Sequence, residues 1–108
     1  MAIIQNTTPF YVSAEADVYI AFLDGKYLQD IEQVYTALAK ALQLPDYFGK
    51  NLDALDELLH ELDWIEQSHV LLIIHRSILL LQHDIEFKGD LIQLFNENNN
   101  TRLQIIFR

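Results

Sequence analysis

The sequence contains no cysteine. Disulfides, thiolate metal sites and thiol catalysis are excluded together, and the redox compartment is left open. Glycine and proline are scarce: Gly25, Gly49 and Gly89, with Pro9 and Pro45, are all that 108 residues hold. The glycines stand apart from one another, so no phosphate-cradling loop can be written. Positive charge is short as well. Seven Lys and Arg face sixteen Asp and Glu, a net charge of −9 with histidine neutral. Nucleic acid and anionic membrane are poor partners for such a field, whereas a cationic protein is attracted at low salt. The most apolar stretches, residues 70–74 and 78–81, are separated by His75-Arg76 and too short to span a bilayer. Residues 1–8 have no basic n-region and no long apolar core, so no signal peptide is read there. The expectation is a soluble protein that stays in the cytoplasm where it is made.

What is present is apolar: 51% of residues are hydrophobic, which argues against disorder, and the length fits one domain. Residues 1–15 show no clear hydrophobic period and read as an N-terminal extension. They are either a short extra strand at Phe10-Tyr11-Val12 or a loosely held arm, with the domain proper at 16–108. Val18 to Leu23 is a nearly continuous apolar run that ends in the turn signal Asp24-Gly25, as for a strand covered on both faces. Ile31, Val34, Tyr35, Leu38, Ala41 and Leu42 recur at helical spacing and predict a helix over about 28–44, starting near Gln29 or Asp30. Trp64 and Ile65 are expected to tuck against the core from a connecting segment. Residues 70–74 predict a second strand, and Ser77 the cap of a short turn through Leu81. Phe87, Leu91, Leu94 and Phe95 predict a helix over 85–98 that Asn98-Asn99-Asn100 ends, and residues 103–107 a last strand. Strand, helix, helix, strand, helix, strand implies an α/β fold, a three-stranded parallel sheet packed by helices.

The most informative stretch runs from Leu44 to Glu61. Pro45 ends the preceding helix, Gly49 gives the loop a permissive backbone, and Asn51 is placed to cap the next helix. On that helix Leu52, Leu55, Leu58, Leu59 and Leu62 form a buried stripe. Asp53, Asp56, Glu57, His60 and Glu61 form one contiguous face, and the helix has no Lys or Arg to neutralise it. Such a face is either plain solvated surface or a negative surface on which a positive partner docks. Catalytic patterns are missing. His60, His69, His75 and His83 lack ligand spacing, so no metal and no cofactor are expected, and the adjacent Ser68-His69 does not build a triad. Asp53 and Glu57 could be written as a metal or glycosidase pair, but no accompanying cleft is legible.

Leu-Pro-Asp-Tyr-Phe-Gly-Lys-Asn-Leu-Asp-Ala-Leu-Asp-Glu-Leu-Leu, residues 44–59, closely resembles the signature of the barstar family, where the stretch reads L-P-E-Y-Y-G-E-N-L-D-A-L-W-D-C-L. A weaker likeness extends over residues 17–107. The resemblance implies a barstar-like fold and a protein that plugs the active site of a ribonuclease with its loop and second helix. It implies that Tyr47, Phe48, Gly49, Asn51 and Asp53 carry the loop and helix-start contacts. Glu57 stands in the position of the family's central aspartate, which imitates an RNA phosphate, and Glu97 matches a glutamate on a later helix. Asp56 replaces a tryptophan, the family's cysteines are missing, and residues 1–15 have no counterpart. These departures bear on which ribonuclease is the target. Three functions follow: a ribonuclease inhibitor of immunity or antitoxin type, an interaction module that binds a basic non-nuclease partner, and, last, an enzyme using the carboxylates.

Overall fold

The structure, a computed structural model, describes residues 9–108; residues 1–8 of the N-terminal extension lie outside it. Four strands, β1 (Phe10–Glu15), β2 (Val18–Asp24), β3 (His69–His75) and β4 (Leu103–Phe107), form one sheet in the order β1-β2-β3-β4. Three helices accompany it: α1 (Ile31–Ala41), α2 (Leu52–Glu61) and α3 (Ile85–Asn98). β2, β3 and β4 pair in parallel, as their helical crossovers require, whereas β1 pairs antiparallel to β2. The sheet therefore has four strands and not the three expected. The extra strand has little apolar patterning because it lies at an edge, with Tyr11 to Glu15 exposed. Its connection to β2 also lacks the glycine signal of a tight hairpin: Ala16 takes the left-handed conformation itself, at φ 44°. What holds β1 is its ladder and the Tyr11 ring stacked on Phe22, centroids 4.3 Å apart.

One sheet face carries the core. Ala21, Leu72 and Ile105 lie side by side in register, flanked by Tyr19, Leu23, Val70, Ile74 and Leu103, all buried. The other face, with Ile20, Phe22, Leu71 and Ile106, is only partly covered, so the expectation of β2 buried on both sides does not hold. α1 lays Val34, Leu38 and Ala41 into the core, α2 Leu55 and Leu59, and α3 Leu91 and Phe95. Tyr19 and Trp64 reach across and donate to the carbonyls of Ala41 and Leu42, tying the end of α1 to β2 and to the segment after α2.

Helix ends follow their capping chemistry. α1 starts at Ile31 with Asp30 as its cap, close to the start expected near Gln29 or Asp30, and Asp30 and Gln33 form a reciprocal capping box. It also ends before Pro45 acts, with Gln43 left-handed at φ 53°. Ser77 is not the cap of its short 3-10 turn, Ser77–Leu79; Arg76 holds that position, and the Ser77 hydroxyl donates to the carbonyl of Arg108. α3 and β4 have the predicted bounds.

Arg76 also ties the ends of β2 and β3. Its Nε donates to Asp24 Oδ1 at 2.9 Å, and a terminal guanidinium nitrogen bonds the other oxygen. Burial pulls the Asp24 carboxyl up, but the bonds from Arg76 and the Lys26 amide outweigh it and hold the pKa below the usual aspartate value. A depressed pKa adds stability above the unfolded value near ~3.9, and that stability is lost as pH falls through the folded value. Asp24→Asn is accordingly expected to unfold at lower denaturant than the parent at neutral pH. The gap should close in acid, where the parent carboxyl is also neutral. Equilibrium denaturation at the two pH values checks this, and a gap of the same size at both would contradict it.

Candidate partner-binding face

The loop between α1 and α2 divides its two aromatic residues. Tyr47 is 71% exposed. Phe48 turns inward, its ring edge-on to Tyr35 at 5.7 Å, and Tyr35 meets Phe87 in the same way. Phe48 thus anchors the loop on the core while Tyr47 stays available on the surface. The left-handed residues between α1 and α2 are Gln43 and Lys50, at φ 53° and 49°, not Gly49, which does not use its conformational freedom. A Cβ at Gly49 would make a close contact of 3.3 Å with Asn51 Nδ2. Asn51 caps α2 as expected, accepting from the Ala54 amide at 2.8 Å and donating to the Gly49 carbonyl at 3.2 Å. The side chain that caps the helix therefore also fixes the loop. Lys50 pairs with Glu32 of α1 at 3.6 Å across the surface.

Along α2 the leucine stripe is inside, and Asp53, Glu57, His60 and Glu61 are exposed. Asp53 and Glu57 make no side-chain hydrogen bond or ion pair among the described residues. Asp53 lies in the first turn, near the positive end of the helix dipole. Asp56 is different. Its side chain is 43% exposed, its Oδ1 accepts from Asn98 Nδ2 at 2.8 Å, and His60 Nδ1 lies 3.8 Å away. The His60 ring is held by the backbone carbonyl of Asp56 at 2.8 Å.

α3 contributes the far wall. Leu52, Asp53 and Asp56 face Asp90, Gln93, Leu94 and Glu97 across a shallow groove of about 180 Å³. Glu97 accepts from Gln93 Nε2 at 3.2 Å. Three predicted residues, Asp53, Asp56 and Glu97, thus share one groove, while Glu57, His60 and Tyr47 are not among its lining residues. The groove is smaller than the usual small-molecule site and opens between two helices. Chemically it offers carboxylates around two leucines, a surface for cationic side chains. Among the described residues no three His, Cys, Asp or Glu side chains are grouped to hold a metal ion, and no helix is long and apolar enough to cross a membrane.

Two residues of this region were not anticipated. Asp90 reads in sequence only as a weak point near the start of α3. Asn98 reads as a helix terminator, yet it is 2% exposed. A signal for it does exist: Asn98 follows Leu91, Leu94 and Phe95 at i+7, i+4 and i+3, so it occupies the apolar stripe of α3.

A family model described as Barstar (barnase inhibitor) matches residues 18–105. The match begins at the first residue of β2 and ends at Ile105 in β4, so it takes in all three helices, the loop carrying Tyr47 and the acidic groove, and leaves out β1. A match over that much of the chain shows that this protein belongs to the barstar family of barnase inhibitors.

Proposed function

We propose that this chain is an inhibitor of immunity or antitoxin type that blocks the active site of a ribonuclease in the cytoplasm. The observation that carries the reading is the row of unneutralised carboxylates on α2, in a chain of the barstar family. A ribonuclease cleft binds RNA phosphates with Arg, Lys and His. Carboxylates fixed on a helix take the place of those phosphates. The charge of −9 speeds encounter with a basic enzyme, and desolvated charge-assisted hydrogen bonds then slow release.

In this reading Asp53 and Glu57 are the substrate-mimicking acids, with Asp56 and Glu97 beside them. Tyr47 supplies exposed aromatic contact of the kind that concentrates binding energy. Phe48, Gly49 and Asn51 hold the loop in shape, and His60 lies at the rim. The inhibitor makes and breaks no bond and needs no cofactor or metal. Neither nucleic acid nor a membrane is its target.

The substitutions at Asp56 and Glu57 favour one competing reading, a barstar-fold module that binds a basic partner without blocking catalysis. Passing the native cell extract over the immobilised chain and assaying the retained protein for RNA cleavage separates the two. The inhibitor reading expects a retained ribonuclease whose activity stops at one equivalent of added chain, with binding that weakens as salt rises. A retained basic protein without nuclease activity, or a ribonuclease left fully active when bound, would replace it with the module.

A further inference from the structure

Asn98 presents a problem in the structure that its place in α3 does not explain. It is 2% exposed at a position the helix otherwise reserves for apolar side chains, and its Oδ1 has no hydrogen-bond partner among the described residues. A buried acceptor left unmade is costly, and each such group in a folded protein calls for a reason. Exchanging the amide oxygen and nitrogen does not remove the problem. Nδ2 donates to Asp56 Oδ1 at 2.8 Å and to the Leu94 carbonyl at 2.9 Å. A reversed amide would point its oxygen at two acceptors and lose both bonds. A bond to the carbonyl four residues back could be made by a polar side chain at the helix surface. The long-range bond to Asp56 requires this position.

Among the described residues, Asp56 is also the one acid of the α2 face that is held from another helix. Asp53 and Glu57 make no side-chain hydrogen bond or ion pair among the described residues, whereas Asp56 has one oxygen fixed and a side chain still 43% exposed. Its second oxygen makes no hydrogen bond among the described residues and remains to accept from a partner. A carboxylate fixed before binding loses less conformational entropy on docking.

We infer that Asn98 is a positioning residue for partner recognition: from inside the fold it fixes the Asp56 carboxylate, so that Asp56 meets a cationic group of the ribonuclease in a preset orientation. The inference rests on the inhibitor reading above and adds Asn98 and the role of Asp56 to it. Holding this acid comes at the expense of an unmade acceptor in the core.

The test uses Asn98→Leu, which alters neither net charge nor any residue of α2, with Asn98→Ser as a smaller second variant should leucine not fit. Inhibition of the ribonuclease retained on the immobilised parent chain is titrated with the parent, Asn98→Leu, Asp56→Ala and the double variant. Asn98→Leu is expected to unfold no earlier than the parent, having removed the orphan acceptor, yet to inhibit about tenfold more weakly. Asp56→Ala should cost at least as much, and Asn98→Leu should add nothing to it. That non-additivity is the readout a merely structural asparagine would not produce. Undiminished inhibition by Asn98→Leu, or losses that simply add, overturns the positioning role and leaves the inhibitor reading standing. A parent chain that inhibits no ribonuclease overturns both.

Discussion

Replacing Asp53 and Glu57 together by alanine is expected to weaken ribonuclease binding by about a thousandfold or more, with folding intact. Each truncation removes one side of a desolvated charge pair and leaves a cation in the enzyme cleft unpartnered, a loss of about 2–5 kcal/mol. Two such losses exceed about 4 kcal/mol, which corresponds to three decades in Kd. The fold has little at stake. Both side chains are exposed and make no side-chain hydrogen bond or ion pair among the described residues. Removing them relieves repulsion along α2 by a few tenths of a kcal/mol per pair and gives up a similar dipole term at Asp53. The unfolding midpoint should therefore lie close to that of the parent chain. Isothermal titration beside chemical denaturation measures both quantities on the same samples. Binding that survived the double change unaltered would remove the α2 face from the site.

The second large effect is structural. Gly25→Ala is expected to destabilise the fold by about 2–3 kcal/mol, an overpacking cost at a place that cannot yield. Gly25 is buried and begins the 3-10 turn after β2, where the chain passes against the turn after β3. A Cβ there would overlap the Arg76 carbonyl oxygen and lie 3.0 Å from the Leu80 amide nitrogen. Both obstacles are backbone. Arg76 is left-handed at φ 50° and tied to Asp24, and the Leu80 amide bonds the Ser77 carbonyl. Neither can move without disturbing the join between β2 and β3. The requirement is one of close approach, since Gly25 itself has no positive φ. Urea denaturation reads the effect directly, and a variant as stable as the parent would show that the two turns can separate freely. Asp24 and Gly25 were legible in the sequence only as a turn signal; the contact that makes the glycine necessary comes from a turn some fifty residues away.

That contrast runs through the molecule. The elements read well wherever one side chain period dominated. The apolar runs of β2, β3 and β4 and the stripe of α3 lie where the pattern placed them, and Asn51 caps α2 as its chemistry predicts. β1 did not read well, because an exposed edge strand has no buried run to mark it and its hairpin uses Ala16 in place of glycine. The acidic composition of α2 was visible, as was its likeness to the barstar signature. The groove was not, because it needs α3 brought beside α2, and Asp90 becomes part of it only then. Asn98 is the sharpest case. Its place in the apolar stripe could be counted from the sequence, but its partner lies 42 residues away on another helix. Phe48 shows the reverse. It resembles a surface contact residue by position, and the structure turns it onto Tyr35 to hold the loop that displays Tyr47.

In the proposed reading the acidic face occupies the place of RNA. Initial rates of cleavage of a short RNA by the retained ribonuclease, at several RNA concentrations and several concentrations of this chain, test it most directly. At salt high enough for the two proteins to exchange rapidly during the assay, occupation of the substrate cleft predicts that the apparent KM rises with added chain while kcat stays constant. It also predicts that the Asp53 and Glu57 double variant loses this effect. A fall in kcat at unchanged KM, or binding with no effect on cleavage, would contradict it and place the ribonuclease contact away from the catalytic cleft.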